Sequence, residues 1–298
     1  MAWQSPMLPP PLRPGDRLAV ILPSGALRET TGFQAGIELW QQQGYQVHLH
    51  SQCAQTWGYL AGTDIQRRAG LREVLLDPDI KGILCGRGGF GATRLLETWA
   101  WPEHSPKWLI GFSDITALLW SYASYGVVGI HGPVLTTLAA EPLWTQQRLF
   151  NLVQHQSVPP LRGEAWVGGV VQGMLWPGNL TVTTHLLGTP QLPAWSRVIL
   201  ALEDVGEAPY RLDRMLTQWR QTPAFQQVVG LALGRFSQCD PSGPSPSLAV
   251  VDVLKDRCCD LGIPVVADLP FGHDGENAAL PVGVPVELDG NQARLSLL

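Results

Sequence analysis

Along the first half of the chain, short unbroken apolar runs alternate with segments whose apolar residues recur at helical spacing, and few folds accommodate that pattern. Leu18–Leu22, Tyr45–Leu49, Ile80–Cys85, Trp108–Ile110 and Val127–Ile130 read as strands, several of them apolar on both faces. Between them, Phe33–Gln43 carries Phe33, Ile37 and Trp40 at helical spacing, and Asp64–Leu76 and Ala92–Thr98 read as further helices. Strict strand–helix alternation implies a parallel sheet with right-handed crossovers, and in such sheets ligands gather at the carboxyl ends of the strands. The second half alternates less regularly. Trp166–Met174, Val198–Leu202, Val228–Leu233 and Pro264–Ala267 are strand-like, Tyr210–Trp219 and Leu248–Leu261 helical, and Val282–Leu298 a hairpin. The Gln- and Pro-containing stretch 151–163 reads as a linker. The expected architecture is α/β: an N-terminal doubly wound parallel sheet domain over 1–150 and a second mixed α/β domain over 164–298.

Composition narrows the function. Of 298 residues, 45% are hydrophobic and 15% charged, which supports a substantial core. The net charge is -5 and no run of Lys or Arg occurs, so nucleic acid is not an expected partner. No apolar stretch reaches membrane-spanning length, and the proline-rich start, Met1 to Pro14, lacks the apolar region of a signal peptide. A cytoplasmic protein that does not engage membranes is expected. The five cysteines (Cys53, Cys85, Cys239, Cys258, Cys259) are odd in number and form no C-x-x-C pair, which suits reduced thiols. No metal and no cofactor is expected.

Two features fall at strand carboxyl ends and would line one crevice: Gly86–Gly91 and Ser113. Lys107–Leu119 reads as strand, sharp turn and helix with Ser113 on the turn, the layout of a nucleophile elbow. The match is partial, because Ile115 stands where the motif has its second glycine, and Ser113 or Asp114 would also serve as a plain helix N-cap. A catalytic serine needs a base and an orienting acid. Of seven histidines, His48, His50, His104, His155 and His185 read as structural. His131 and His273 each follow a strand in a Gly/Pro-rich loop, and His273, flanked by glycines, is the better base. Glu203 ends the apolar run Val198–Leu202, where a carboxylate needs a partner. Asp204 is its rival, and either Glu203 or Glu207 would also cap a helix starting near Pro209.

Several blocks, in one order, resemble the LD-carboxypeptidase family of serine peptidases that act on muramoyl tetrapeptides. They are Gly86-Arg87-Gly88-Gly89-Phe90-Gly91, Ile110-Gly111-Phe112-Ser113-Asp114, His131-Gly132-Pro133, Gly178-Asn179-Leu180, the stretch from Leu202 to Arg211, and Pro270-Phe271-Gly272-His273 with Asn277. The resemblance implies a triad of Ser113 as nucleophile, His273 as general base and acid, and Glu203 orienting the imidazole. It implies an oxyanion hole from the backbone N–H of Asp114 and of Gly88 or Gly89, and a site between the two domains. It also implies a small muropeptide substrate that loses a C-terminal D-amino acid, and, by analogy, a homodimer. Asp274 and Glu276 depart from the family's usual uncharged residues and bring extra negative charge near the site. For the substrate's carboxylate, Arg87, Arg94 and Arg214 remain open. Two other readings stay in view. One is a branch of the family that cleaves aminoacyl-nucleotide antibiotics, with Trp166 or Trp176 stacking a base. The other is a non-catalytic muropeptide binder.

Overall fold

The computed structural model describes residues 6–241 and 246–298; the first five residues of the proline-rich start lie outside them. In chain order the strands are β1 (Arg17–Ile21), β2 (Gln46–Leu49), β3 (Ile80–Cys85), β4 (Trp108–Gly111), β5 (Ile130–His131), β6 (Leu161–Arg162), β7 (Glu164–Val167), β8 (Val170–Asn179), β9 (Val198–Val205), β10 (Val228–Ser237), β11 (Val265–Ala267), β12 (Leu280–Pro281), β13 (Pro285–Asp289) and β14 (Arg294–Leu297). The α-helices are α1 (Thr31–Gln42), α2 (Asp64–Leu76), α3 (Ala92–Leu96), α4 (Thr116–Tyr125), α5 (Leu135–Leu138), α6 (Leu143–Val153), α7 (Leu180–Leu186), α8 (Pro209–Arg220) and α9 (Val250–Cys258). Among the described residues no helix is long and apolar enough to cross a membrane.

The chain forms two compact units. The first holds residues 6–157 with Ala278–Val282. Its sheet runs β12-β5-β4-β3-β1-β2, parallel except for β12, which pairs antiparallel with β5. Leu18, Ala19 and Val20 of β1 and Ile83 and Leu84 of β3 are buried, as apolar runs in the middle of a covered parallel sheet should be. Helix α2 starts on a capping box, with Thr63 Oγ1 accepting from Gln66 N (3.3 Å) and Gln66 Oε1 accepting from Thr63 N (2.8 Å). Strand order reverses at β1, between β2 and β3. That reversal opens a crevice at the carboxyl ends of β1 and β3, where doubly wound sheets take their ligands.

The second unit holds Gly283–Leu298 and the described part of Val158–Asn277. Its eight-stranded sheet runs β6-β14-β13-β8-β9-β10-β11-β7, with β8 to β11 parallel and the flanking pairs antiparallel. This is the mixed α/β arrangement expected from the sequence. Three details differ from that reading. Helix α6 runs through Val153 and β6 begins at Leu161, so regular structure enters both ends of the expected linker. Trp166–Met174 is split into β7 and β8 by Gly168-Gly169, with Gly169 at φ +117°. And β9 runs on past Leu202 to Val205.

Candidate active site

The first unit carries the candidate nucleophile, Ser113. Ser113 follows β4 and opens a one-turn 3-10 helix that continues into α4. Its φ is +63°, a left-handed conformation that costs an L-residue about 1–2 kcal/mol. It is the first residue inside that turn, and the N-cap positions of the turn and of α4 are Phe112 and Ile115, so Ser113 is not the cap. The tight turn is possible because of Gly111, where a Cβ would meet Cys85 Cβ and Ile115 Cγ2, each at 3.0 Å. Ile115, which breaks the elbow motif, is wholly buried there.

The glycine loop after β3 lies directly against this turn. A Cβ on Gly88 would sit 2.9 Å from Ser113 Cβ and 3.1 Å from its Oγ. Gly89 (φ +116°) and Gly91 (φ +125°) complete the loop in conformations that favour glycine. The loop is tied to the β1 crevice by Gly25 N donating to Gly88 O (3.2 Å), and by the buried Arg67, which donates to Pro23 O (2.6 Å) and Gly91 O (2.8 Å). Asp114 is buried as well. Its Oδ2 accepts from Ser24 Oγ (2.5 Å) and from Ala92 N (2.8 Å), so it caps α3 rather than its own helix. Burial raises the Asp114 carboxyl above its usual range, while those two hydrogen bonds oppose the rise. Ser24 and Arg67 were not singled out by the sequence. The only signal for Ser24 was its place in the turn after β1.

Packing at Gly88 makes a prediction. Gly88→Ala puts a methyl against the Ser113 side chain and displaces the serine or the loop. Turnover should fall about 10²–10³-fold, the range seen when one oxyanion donor is lost. Thermal unfolding should show a folded protein, and a Gly88→Ala enzyme with unchanged kcat would contradict the packing.

The second unit carries a histidine–carboxylate pair. His273 Nδ1 donates to Glu203 Oε2 at 2.6 Å, with the Glu203 side chain fully buried and that of His273 16% exposed. A carboxylate only accepts, so it fixes the proton on Nδ1 and leaves Nε2 as the basic nitrogen. Burial is the largest influence on the imidazole and disfavours its cation. The Glu203 hydrogen bond and the charges of Glu203, Asp204 and Asp274 outweigh it, and His273 is raised above the usual histidine range. Alternation along β9 separates the two candidate acids. Glu203 and Asp204 are consecutive, so they point to opposite faces. Asp204 accepts from Asn179 Nδ2 (3.0 Å), Thr181 N (2.8 Å), Thr181 Oγ1 (2.7 Å) and Val205 N (2.8 Å), and it is fully occupied at the start of α7. Glu207 pairs with Arg211 at 3.3 Å, and the residue preceding α8 is Ala208, so neither acid caps that helix by its side chain.

The other candidates are placed as follows. His131 is not in a loop: it lies within β5, wholly buried, paired with Leu280 and edge-on to Phe112 at 6.1 Å. Trp176 is buried against Trp195, and Trp166 carries the Lys255 ammonium 5.2 Å above its ring. Among the arginines, Arg94 is held on Asp64 by three contacts of 2.8–3.1 Å. Arg214 lies over the Tyr210 ring at 5.3 Å. Arg87, half-buried beside Gly88, donates one hydrogen bond to Ala26 O (2.7 Å).

Comparison with known proteins is consistent across the chain. Residues 18–132 match the model of the LD-carboxypeptidase N-terminal domain, and residues 172–288 that of the LD-carboxypeptidase C-terminal domain. A Synechocystis protein, whose own assignment as a carboxypeptidase is provisional, is 55% identical over 97% of each chain. The murein tetrapeptide carboxypeptidase of Pseudomonas aeruginosa is 34% identical over 93% of this chain and 94% of its own. The crystal structure of muramoyltetrapeptide carboxypeptidase from Oxalobacter formigenes superposes with TM-score 0.81 at 28% identity, covering 94% of this chain and 97% of that one. The microcin C7 self-immunity protein MccF has the same fold, with TM-score 0.86 at 21% identity over 98% of each chain.

Proposed function

Because this chain belongs to the LD-carboxypeptidase family and is a serine-type carboxypeptidase, we propose that it releases the C-terminal D-alanine from murein tetrapeptides. Ser113 is the nucleophile, His273 the general base and acid, and Glu203 the orienting acid. The observation that carries the catalytic reading is the buried Glu203–His273 hydrogen bond, which sets the tautomer a general base needs. Likeness to the murein tetrapeptide enzyme of Pseudomonas aeruginosa supports the substrate.

The chemistry follows from those groups. Ser113 Oγ attacks the carbonyl carbon of the L,D-peptide bond, and its proton passes to His273 Nε2. The backbone N–H of Asp114 and of Gly88 or Gly89 receive the oxyanion, each donor being worth about 2.7–4 kcal/mol in comparable systems. As the tetrahedral species collapses, His273 gives its proton to the nitrogen of the departing D-alanine. Water then attacks the acyl-enzyme, again losing a proton to His273, and the tripeptide leaves with its carboxylate while Ser113 regains its hydrogen. An exopeptidase must also hold a free carboxylate. Arg87 fits best of the three arginines, because it sits in the glycine loop and is not tied to an acid as Arg94 is.

A cytoplasmic enzyme of peptidoglycan recycling acting on small peptides, as a homodimer by family analogy, goes with this reading. Trp176 is buried and Lys255 lies over one face of Trp166, so neither tryptophan adds to the antibiotic-cleaving alternative, whose support is the fold shared with MccF. The test is hydrolysis of defined substrates by the purified chain, read by mass spectrometry. Murein tetrapeptide should lose one D-alanine. Cleavage of an aminoacyl-sulfamoyl nucleotide with the tetrapeptide left intact would overturn the substrate. Failure of a serine-reactive phosphonate to label the protein would overturn catalysis altogether and favour a binder.

A further inference from the structure

The carboxylates that set this chain's histidine loop apart are gathered on one side chain. Arg235, near the end of β10, faces Asp268 at 2.5 Å, Asp274 at 3.7 Å and Glu276 at 3.7 Å. Its own side chain is 30% exposed, and its ε-nitrogen is buried. The backbone shows why the loop needs such a hold. Leu269 N donates to Leu233 O (3.0 Å) and Arg235 N to Phe271 O (2.8 Å), which zips the start of the loop to β10. The chain then turns through Gly272 at φ +143°, where a Cβ would lie 3.0 Å from Arg235 O, and through Gly275 at φ +91°, where a Cβ would meet nothing. His273 sits between these two glycines, on backbone that has wide conformational freedom.

We propose that Arg235 is a positioning residue for the proposed general base: its guanidinium collects Asp268, Asp274 and Glu276, holds the His273 loop in register against Glu203, and offsets the loop's own negative charge. This rests on the reading of His273 as the base. The charged groups that act on that imidazole are Glu203 and Asp204 from β9 and Asp274 from the loop, and Arg235 reaches this set through Asp274, with Asp268 and Glu276 on the same guanidinium. All three groups that act on the ring are acidic, and Arg235 is the cation beside them. Without Arg235 the imidazolium would be favoured further, and the fraction of neutral base at neutral pH would fall. Two of the loop acids thus become fasteners, because a fork-shaped guanidinium can serve several carboxylates at once where an ammonium is a point charge.

The experiment uses the full chain and two readouts, the NMR titration of the His273 ring and the pH profile of kcat/KM on tetrapeptide. Arg235→Gln should raise the ring pKa by about half to one unit, the size expected for loss of one nearby unit charge in a partly solvated setting. The acid limb should follow it, with kcat at neutral pH down about tenfold. Arg235→Lys should restore the pKa but recover kcat only in part, since it keeps the charge and loses the fork. Asp274→Asn, which needs no repacking around the arginine, should move the ring pKa the opposite way, downward. A ring pKa unmoved by Arg235→Gln, or an Arg235→Lys variant with wild-type kcat, overturns the proposal; the second variant decides the matter even if the first does not fold. An acid limb that ignores the measured ring pKa would instead overturn the assignment of His273 as the base.

Discussion

Ser113→Ala is expected to lower kcat on murein tetrapeptide by about 10⁵–10⁶-fold, as loss of the nucleophile does in other serine peptidases. The residue's backbone gives this prediction a second arm. Alanine at φ +63° suffers the same left-handed strain as serine, so Ser113→Ala should unfold at about the wild-type temperature. Glycine is at home in that conformation. Ser113→Gly should be equally dead yet about 1 kcal/mol more stable than the alanine variant, or about 2–4 °C higher in Tm. Loss of activity with a gain in stability marks a residue whose strain serves catalysis. Residual turnover within a hundredfold of wild type in either variant would remove Ser113 from the mechanism.

The fold was largely legible because its strands are buried on both faces. Runs such as Leu18–Leu22 and Ile80–Cys85, short and closed by turn residues, read as strands in the middle of a covered sheet, and they became β1 and β3. Short, edge-like or recruited segments were not legible. Strand β5 is two residues long, so its histidine looked like part of the loop that follows. Ala278–Val282 joins the first unit by pairing with β5, a long-range choice that five apolar residues cannot announce locally. At the site, residue types carried the reading further than position did. A serine at a strand–helix turn and a carboxylate ending an apolar run are unusual enough to notice. What chose Glu203 over Asp204 was which face of β9 each occupies, and that needed the extra two residues of strand and the start of α7. The arginines were undecidable for the same reason: Asp64 lies 30 residues from Arg94 in sequence, and only the fold brings them together.

Glu203→Gln probes the other half of the proposed machinery. The amide keeps the volume of the carboxylate, so packing at this fully buried position is preserved. It removes the charge, and it can present either an oxygen or an NH2 group to His273 Nδ1. In the second orientation the imidazole takes the wrong tautomer, with its proton on Nε2, and cannot accept from Ser113. The corresponding Asp→Asn change in a serine-protease triad costs about 10⁴ in kcat, and a loss of about 10³–10⁴ is expected here. The pH profile should move in a defined direction. Glu203 contributes both the hydrogen bond and a charge that hold His273 above its usual range. Removing them lowers the imidazole pKa, so the residual activity should persist to lower pH, with the acid limb displaced downward from the wild-type position. Stability should fall measurably, because the change removes one partner of a buried pair and leaves the other behind. A variant that loses less than tenfold in kcat, or whose acid limb stays where the wild type has it, would show that the buried carboxylate does not govern the base. The hydrogen bond between them would then be a structural contact only.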